Sequence, residues 1–546
     1  MEIGDVGTGQ LSPVRQRSPR RTATPDVTVI LAVYNTMPYL TRCLDSLAKQ
    51  TIGRDRIEVI AVDDGSTDGS AEELDRFARR YPKTFTVVHQ ANSGGPAAPS
   101  NRALERATGR YVFFVGADDY LGREALERLV RAADRHGSDI VLGKLVGVNG
   151  RYVNPAVYAR SATDIGLFDS PLPWALSNTK LFRRELIEQH GLRFDEELPV
   201  ASDQPFTFEA CLQAARISVL ADYTFYYAVR RTDASNITFG NSHERHLAAA
   251  EVIMHFVAGR IAPGKDRDAV LVRHFTWEVG KLVMDDFLTL DRDVQERLHA
   301  GIRALADQYL TDDIRHRLDI KKRVRLSLAQ RGELDDLLAA IRCDVEDGDV
   351  PVVVTADRCY ARYPGFQDAR LDLPNSWFDV SESVAKQQAA FDAVSVVWAP
   401  DGDGAPALAV QARGTDSAPV PLAAPQVRLA AGDSAGVAVV PGRSDDGIRI
   451  EARLPLGHLV AESPTAKTIV PIMVEVEAFG GAYRAPLQAP KAPAAGRLVR
   501  RFGTHLYLFS PVKDHKGRLV IAIQPITARK VAGFVYRKFA RRGKQA

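Results

Sequence analysis

Two short apolar runs in this chain each end in a pair of carboxylates. Ile57 to Val62 runs into Asp63-Asp64 in IEVIAVDDGSTD, and Tyr111 to Val115 runs into Gly116-Ala117-Asp118-Asp119. A short apolar run bounded by Gly, Ser and Asp reads as a strand buried on both faces, and such strands belong to parallel sheets. Ligands of open α/β sheets bind outside the carboxyl ends of the strands, so two acid pairs delivered there can converge on one site. Asp-Gly-Ser-Thr also suits an Asx-turn leading to a helix cap, and it is the second pair in the same context that favours a site.

The surrounding alternation is regular. Val27 to Val33 reads as the first strand, and Tyr39 to Gln50 carries Leu40, Cys43, Leu44 and Leu47 at helical spacing. Helices are expected over Ser70 to Tyr81, from Pro99, and over Arg123 to His136, with strands at Phe85 to His89 and Ile140 to Lys144. Strands alternating with amphipathic helices predict parallel βαβ units. Residues 242–348 read as a helical linker domain, as in HLAAAEVIMHFVAGRI and GELDDLLAAIRC. Residues 349–526 turn into short Val-rich runs (VPVVV, VSVVW, GVAVV, TIVPIMVEVEAF) separated by turn residues, which predicts an all-β immunoglobulin-like sandwich suited to binding or oligomerisation.

A chain of 546 residues fills about two to four domains, and a net charge of +3 gives no global pull toward nucleic acid. Cys43, Cys211, Cys343 and Cys359 are scattered, which speaks against a zinc site or disulfide framework and for a reducing, cytoplasmic compartment. No run of about 18 apolar residues reads as a membrane span, and no apolar leader is present. Residues 1–24 read as a disordered basic lead. Residues 527–546 carry seven cations and no acid around Val531, Phe534, Val535 and Phe539. Such a basic amphipathic tail suits either peripheral contact with the inner face of an anionic membrane or docking on its own β domain.

The set VILAVYN (29–35), VDDGSTD (62–68), NSGGPAAPSN (92–101) and FVGADDYL (114–121) resembles the family 2 glycosyltransferases with a Rossmann-like GT-A fold. That resemblance spans about 220 residues, taken here as a domain over 25–241, and implies an inverting enzyme with a nucleotide-sugar donor and a divalent metal, Mn2+ or Mg2+. It implies that Val33, Tyr34, Asn35, Asp63, Asp64 and Asn92 hold the nucleotide. It implies that Asp118 and Asp119 serve the metal and that Asp203 is the catalytic base. Arg230 and Arg231, with Asp233 to Asn236, resemble a segment closing over the donor, where one Arg of the two meets phosphate. Two departures stand out. Gly116 occupies the first acid of the family's Asp-x-Asp-Asp pattern, and Pro99-Ser100 stands where an Arg usually precedes the Asn; Arg102 could substitute on the next turn. Trp174 and Lys180 are acceptor-side candidates.

A transferase domain, a helical linker and a β domain in that order resemble the wall teichoic acid poly(ribitol phosphate) glycosyltransferases. This implies transfer of a hexosyl or N-acetylhexosaminyl group from a UDP-sugar to a polyol phosphate by a homo-oligomer such as a trimer. A transferase for capsule or another cell-wall glycan, and a non-catalytic carbohydrate-binding scaffold, remain the alternatives at this point. A P-loop or dinucleotide enzyme is excluded, since neither GxxxxGK[ST] nor GxGxxG follows the first strand.

Overall fold

The computed structural model describes residues 24–526 apart from 199, 233–241, 347, 349, 356, 402–403, 415–425, 433–435, 440–441, 445–446, 460–466, 492–494, 503–504 and 515. The basic lead, the segment Asp233 to Asn236 and the amphipathic tail lie outside these residues. The chain divides into two compact units, Met1–Leu334 and Asp335–Ala546.

In the first unit β1 (Val27–Val33), β2 (Ile57–Asp63), β3 (Phe85–His89) and β4 (Tyr111–Phe114) pair in parallel in the order β3-β2-β1-β4. β1 and β2 are buried almost from end to end, as continuous apolar runs require. Helices α1 (Tyr39–Ala48) and α4 (Ala125–His136) bury Leu40, Leu44, Leu47, Leu126 and Leu129 against Val29 and Leu31, while α2 (Ser70–Arg80) and α3 (Ala97–Leu104) also pack on the sheet. The alternation of short strand and amphipathic helix is therefore what builds the core.

Beyond β4 the sheet departs from the all-parallel expectation. β8 (Leu181–Arg183) inserts antiparallel between β4 and β6 (Ile140–Gly143), and β9 (Ile217–Leu220) pairs in parallel with β6. Three residues are too few to show a period of two, so β8 leaves no periodic signal in the sequence. A separate three-stranded sheet places β10 (Tyr226–Val229) between β5 (Tyr120–Leu121) and β7 (Leu145–Val148), which brings a late strand beside the loop after β4. Helices α5 (Arg184–Gln189) and α6 (Asp203–Gln213) flank the remaining connections.

Among the described residues, five α-helices follow: α7 (His243–Arg260), α8 (Lys265–Lys281), α9 (Arg292–Tyr309), α10 (Asp312–Arg317) and α11 (Ile320–Arg331). Ser242 caps α7, its Oγ accepting from the Arg245 N–H at 3.3 Å. α7 packs on α6, where Phe208 and Phe256 meet edge to face at 6.2 Å. The helical linker is thus seated directly on α6, the helix that Asp203 begins.

The second unit begins within the helix Leu334–Glu346 and is otherwise β-rich. A four-stranded antiparallel sheet (391–400, 406–414, 447–455 and 442–444) and a larger antiparallel sheet, whose central strand is 468–478, share one core. Val396, Leu408 and Val410 from the first meet Leu429, Val474, Phe509 and Ile521 from the second.

Candidate active site

From β1 the chain turns to β2 and β3 on one side and then crosses to β4 on the other, so the strand order reverses at β1. Crevices at such reversals are where open α/β sheets bind ligands. A cavity of about 420 Å3 opens there, lined by Val33, Tyr34, Asp64, Asn92, Asp118, Asp119, Asp203 and Arg231. Asn35, Asp63 and Arg230 are absent from its lining.

The loop after β1 explains Asn35. Its backbone is left-handed, at φ 47°, a conformation that Asn tolerates better than most side chains. Its N–H donates to Ser66 Oγ at 3.1 Å and its Oδ1 accepts from the Thr67 N–H at 2.8 Å, so Asn35 fastens this loop to the DDGSTD loop. Asp63 is buried and turned away from the cavity, accepting from the Ser66 N–H at 3.1 Å and meeting His89 Nδ1 at 3.0 Å. Asp64 faces the cavity and also organises it. Its carboxylate accepts from Gln90 Nε2 at 2.6 Å and from the Ser93 N–H and Oγ at 3.1 and 2.9 Å, which holds the Asn92–Gly94 turn. Tyr34 stands 45% exposed at the rim, where a planar base could stack.

The second acid pair splits in role. Asp118 forms an ion pair with Arg231, whose Nε donates to Oδ2 at 2.9 Å, with both side chains largely buried. Asp119 lies deeper. Its Oδ2 accepts from the Tyr226 hydroxyl at 2.6 Å and its Oδ1 from the Val229 N–H at 2.6 Å, while Arg151 Nη1 stands 3.6 Å away. Burial, reinforced by the neighbouring Asp118 charge, pushes the Asp119 carboxyl up to about 6. Gly116 is where the close approach happens, because a Cβ there would sit 2.8 Å from Asp119 Oδ2 and 3.2 Å from Asp118 Oδ1.

Asp203 is the first residue of α6 and lines the cavity, as do Ser177, Asn178 and Thr179. Burial raises its carboxyl above the usual range, against the pull of Arg273 and Lys180. The backbone two residues earlier is left-handed at Ala201, φ 58°, an uncommon state for a residue with a Cβ and one that concentrates at functional sites. Lys180 is itself buried and donates to the Ala175 and Ser177 carbonyls, and burial brings its ammonium down to about 8. Trp174 packs edge to face on Trp277 of α8 at 5.1 Å.

Arg230 is exposed whereas Arg231 lines the cavity, so the segment directly after β10 supplies one inward Arg of the pair. Ser100 lines the cavity, and Arg102 on the same helix donates to Gln90 Oε1 at 3.0 Å, the residue that holds Asp64. Sequence reasoning missed Arg151, Tyr226 as a partner of Asp119, and the α8 residues behind Asp203. Arg151 sits in a Gly-Arg-Tyr turn with no distinguishing pattern, while the tyrosine pair Tyr226-Tyr227 was visible but gave no sign of which ring turns inward.

The profile of glycosyl transferase family 2 matches residues 28–191, which hold both acid pairs. The glycosyltransferase EpsJ of Bacillus subtilis, uncharacterized, is 32% identical over 233 residues, 41% of this chain and 67% of that protein. The chain belongs to glycosyl transferase family 2. Residues 243–341 match the glycosyl transferase TarS linker domain, which corresponds to α7 through α11 and the helix after them. A poly(ribitol-phosphate) beta-glucosyltransferase of Bacillus spizizenii is 32% identical over 350 residues, 62% of this chain and 54% of that enzyme, so the match spans about half the relative's length. The crystal structure of Staphylococcus aureus TarS shares the fold with a TM-score of 0.57 over 92% of this chain and 86% of that one, at 24% identity. Its 1–349 portion in complex with UDP-GlcNAc matches 62% of this chain and 97% of that one, at 29% identity and a TM-score of 0.54. This family 2 member therefore carries its acid pairs on a GT-A catalytic domain, followed by a helical linker and a β-rich C-terminal region.

Proposed function

We propose that this family 2 enzyme moves a sugar from a UDP-sugar to a hydroxyl of a polyol-phosphate polymer of the teichoic-acid type, with inversion. The observation that carries the reading is the convergence of Asp64, Asp118 and Asp203 on one cavity at the strand-order reversal. Tyr34 and Asp64 receive the nucleoside, the first by its exposed ring and the second by its carboxylate. Arg231 presents a guanidinium that can exchange its pairing with Asp118 for the donor diphosphate, a ligand its planar fork suits. Asp203, which lines the same cavity, takes the proton of the attacking hydroxyl, and its raised basicity suits that step.

A divalent cation fits this site through Asp118, whose carboxylate reaches the cavity, better than through Asp119, whose two oxygens already accept from Tyr226 and Val229. Among the described residues no group of three or more His, Cys, Asp or Glu is placed to hold a metal ion. A single protein carboxylate with substrate phosphates is a common arrangement for Mg2+, and the cation would offset charge on the departing diphosphate.

The polymer class and the donor nucleotide are supported by what the relatives are: a poly(ribitol-phosphate) glucosyltransferase, and TarS crystallised with UDP-GlcNAc. In the second unit we infer an immunoglobulin-like sandwich that joins copies of the chain, a reading supported by exposed Val394, Val397, Ile469 and Val499 on its strands. No helix among the described residues is long and apolar enough to cross a membrane, and a position at the inner face, beside a lipid-carried acceptor, is part of the same proposal. The test is transfer from UDP-glucose and UDP-GlcNAc to poly(ribitol phosphate) and to neutral oligosaccharides. Labelled polyol-phosphate polymer supports the reading, transfer to neutral glycans alone redirects it to another surface polymer, and absence of any UDP-sugar turnover leaves a carbohydrate-binding scaffold.

A further inference from the structure

Helix α8 lies about 70 residues beyond Asp203 in sequence, yet it delivers a buried charge to the first turn of α6, which Asp203 begins. Arg273 is 6% exposed. Its Nη1 donates to Gln204 Oε1 at 2.7 Å and lies 3.0 Å from Glu278 Oε1. Gln204, the neighbour of Asp203 in the first turn of α6, returns a bond from Nε2 to Glu278 Oε1 at 3.1 Å. The guanidinium carbon stands 5.2 Å from the centre of the Trp277 ring, and Arg273 Nε has no hydrogen-bond partner among the described residues. An Arg this deep is costly unless its charge is used, because desolvation must be offset by more than one neighbour.

We infer that Arg273, clamped by Glu278 and Gln204, is a positioning residue that holds Asp203 in its ionised, proton-accepting state, so that the helical linker contributes to catalysis. This rests on the reading of Asp203 as the base. The charges behind the site balance only when Asp203 is ionised: Asp203 and Glu278 stand against Lys180 and Arg273, and protonating Asp203 leaves one net positive charge. The other titratable groups packed there do not disturb that balance at neutral pH. Burial lowers His274, on α8, below its usual range, and burial raises the Cys211 thiol, on α6, to about 11. Glu278 is held down at about 2 because the Arg273 charge and the His274 and Gln204 hydrogen bonds outweigh its burial. Arg273 opposes the burial of Asp203 in the same way.

The experiment is the pH dependence of kcat and KM for the full chain and for Arg273→Gln, Arg273→Lys, Glu278→Gln and Asp203→Asn, with UDP affinity and Tm as controls for folding. Arg273→Gln is expected to lower kcat about tenfold and to move the acidic limb upward by about one pH unit, while UDP affinity is unchanged. Arg273→Lys should restore the position of the limb. Glu278→Gln should move it downward, and these opposite movements distinguish a charge effect from loosened packing, also where one of the variants folds poorly. Limbs that stay at the wild-type position in the well-folded variants, with Asp203→Asn inactive, would overturn the role of the linker and leave the base intact. Wild-type turnover by Asp203→Asn would overturn the base assignment, and this inference with it.

Discussion

The Tyr226 hydroxyl donates to Asp119 Oδ2 at 2.6 Å across 107 residues of sequence, and the Tyr226 hydroxyl oxygen accepts from the Gly116 N–H at 3.0 Å. One phenol thereby fixes both ends of the Gly116-Ala117-Asp118-Asp119 turn, leaving Asp118 as the acid offered to the cavity. Tyr226→Phe should destabilise the fold by about 1–3 kcal/mol, because it removes a partner from a buried carboxylate. The deficit should be larger at pH 8 than at pH 5, since Asp119, titrating at about 6, is charged only at the higher value. Urea unfolding at the two pH values measures it, and equal deficits would contradict the assigned pairing.

Gly116 leaves room for that arrangement. A side chain there begins 2.8 Å from Asp119 Oδ2, so Gly116→Asp, which restores the family's first acid, should crowd three carboxylates and cost about 1–3 kcal/mol in stability. Asp118→Asn at the neighbouring position should leave folding intact and abolish stimulation by Mn2+ or Mg2+. Melting temperatures and metal titrations of turnover separate the two variants.

The catalytic half of the fold was legible because its strands are continuous apolar runs ending in acids, a pattern with few alternative readings. The first four strands pair in parallel as expected, and the helices expected over Tyr39 to Gln50 and Ser70 to Tyr81 form at 39–48 and 70–80. What stayed hidden depends on contacts distant in sequence. Asn35 and Asp63 carry the right residue types in the right motif, yet one closes a turn and the other meets His89, and only tertiary geometry shows this. Arg230 and Arg231 could be reduced to one inward residue, but both follow the last residue of β10, and only the long-range pairing of Arg231 with Asp118 shows which one it is. Arg273 was invisible for another reason: a cation in a charged helical stretch reads as a solvated face unless the helix is known to bury it.

His89 bridges Asp63 Oδ2 at 3.0 Å and Asp75 Oδ1 at 3.2 Å. Burial pulls its imidazolium down, but the two carboxylates outweigh it and hold the group above its usual range. A histidine whose folded value is raised contributes stability that is fully present below the unfolded value, near 6.5, and is lost as pH rises through the folded value. The melting temperature should therefore fall across that window in the wild type and fall less in His89→Gln. Because the side chain is half exposed the effect should be small, and parallel pH profiles for the two proteins would show that the bridge contributes nothing.

The assignment of Asp203 as the base decides whether this cavity performs transfer or only binds a nucleotide. The most direct measurement pairs UDP binding by calorimetry with transfer of labelled sugar to poly(ribitol phosphate), for the wild type and Asp203→Ala. UDP affinity within about twofold of the wild type and transfer reduced by about a thousandfold are the predicted results, since a base acts on the acceptor hydroxyl and leaves nucleotide binding alone. Transfer by Asp203→Ala near the wild-type rate would contradict the account.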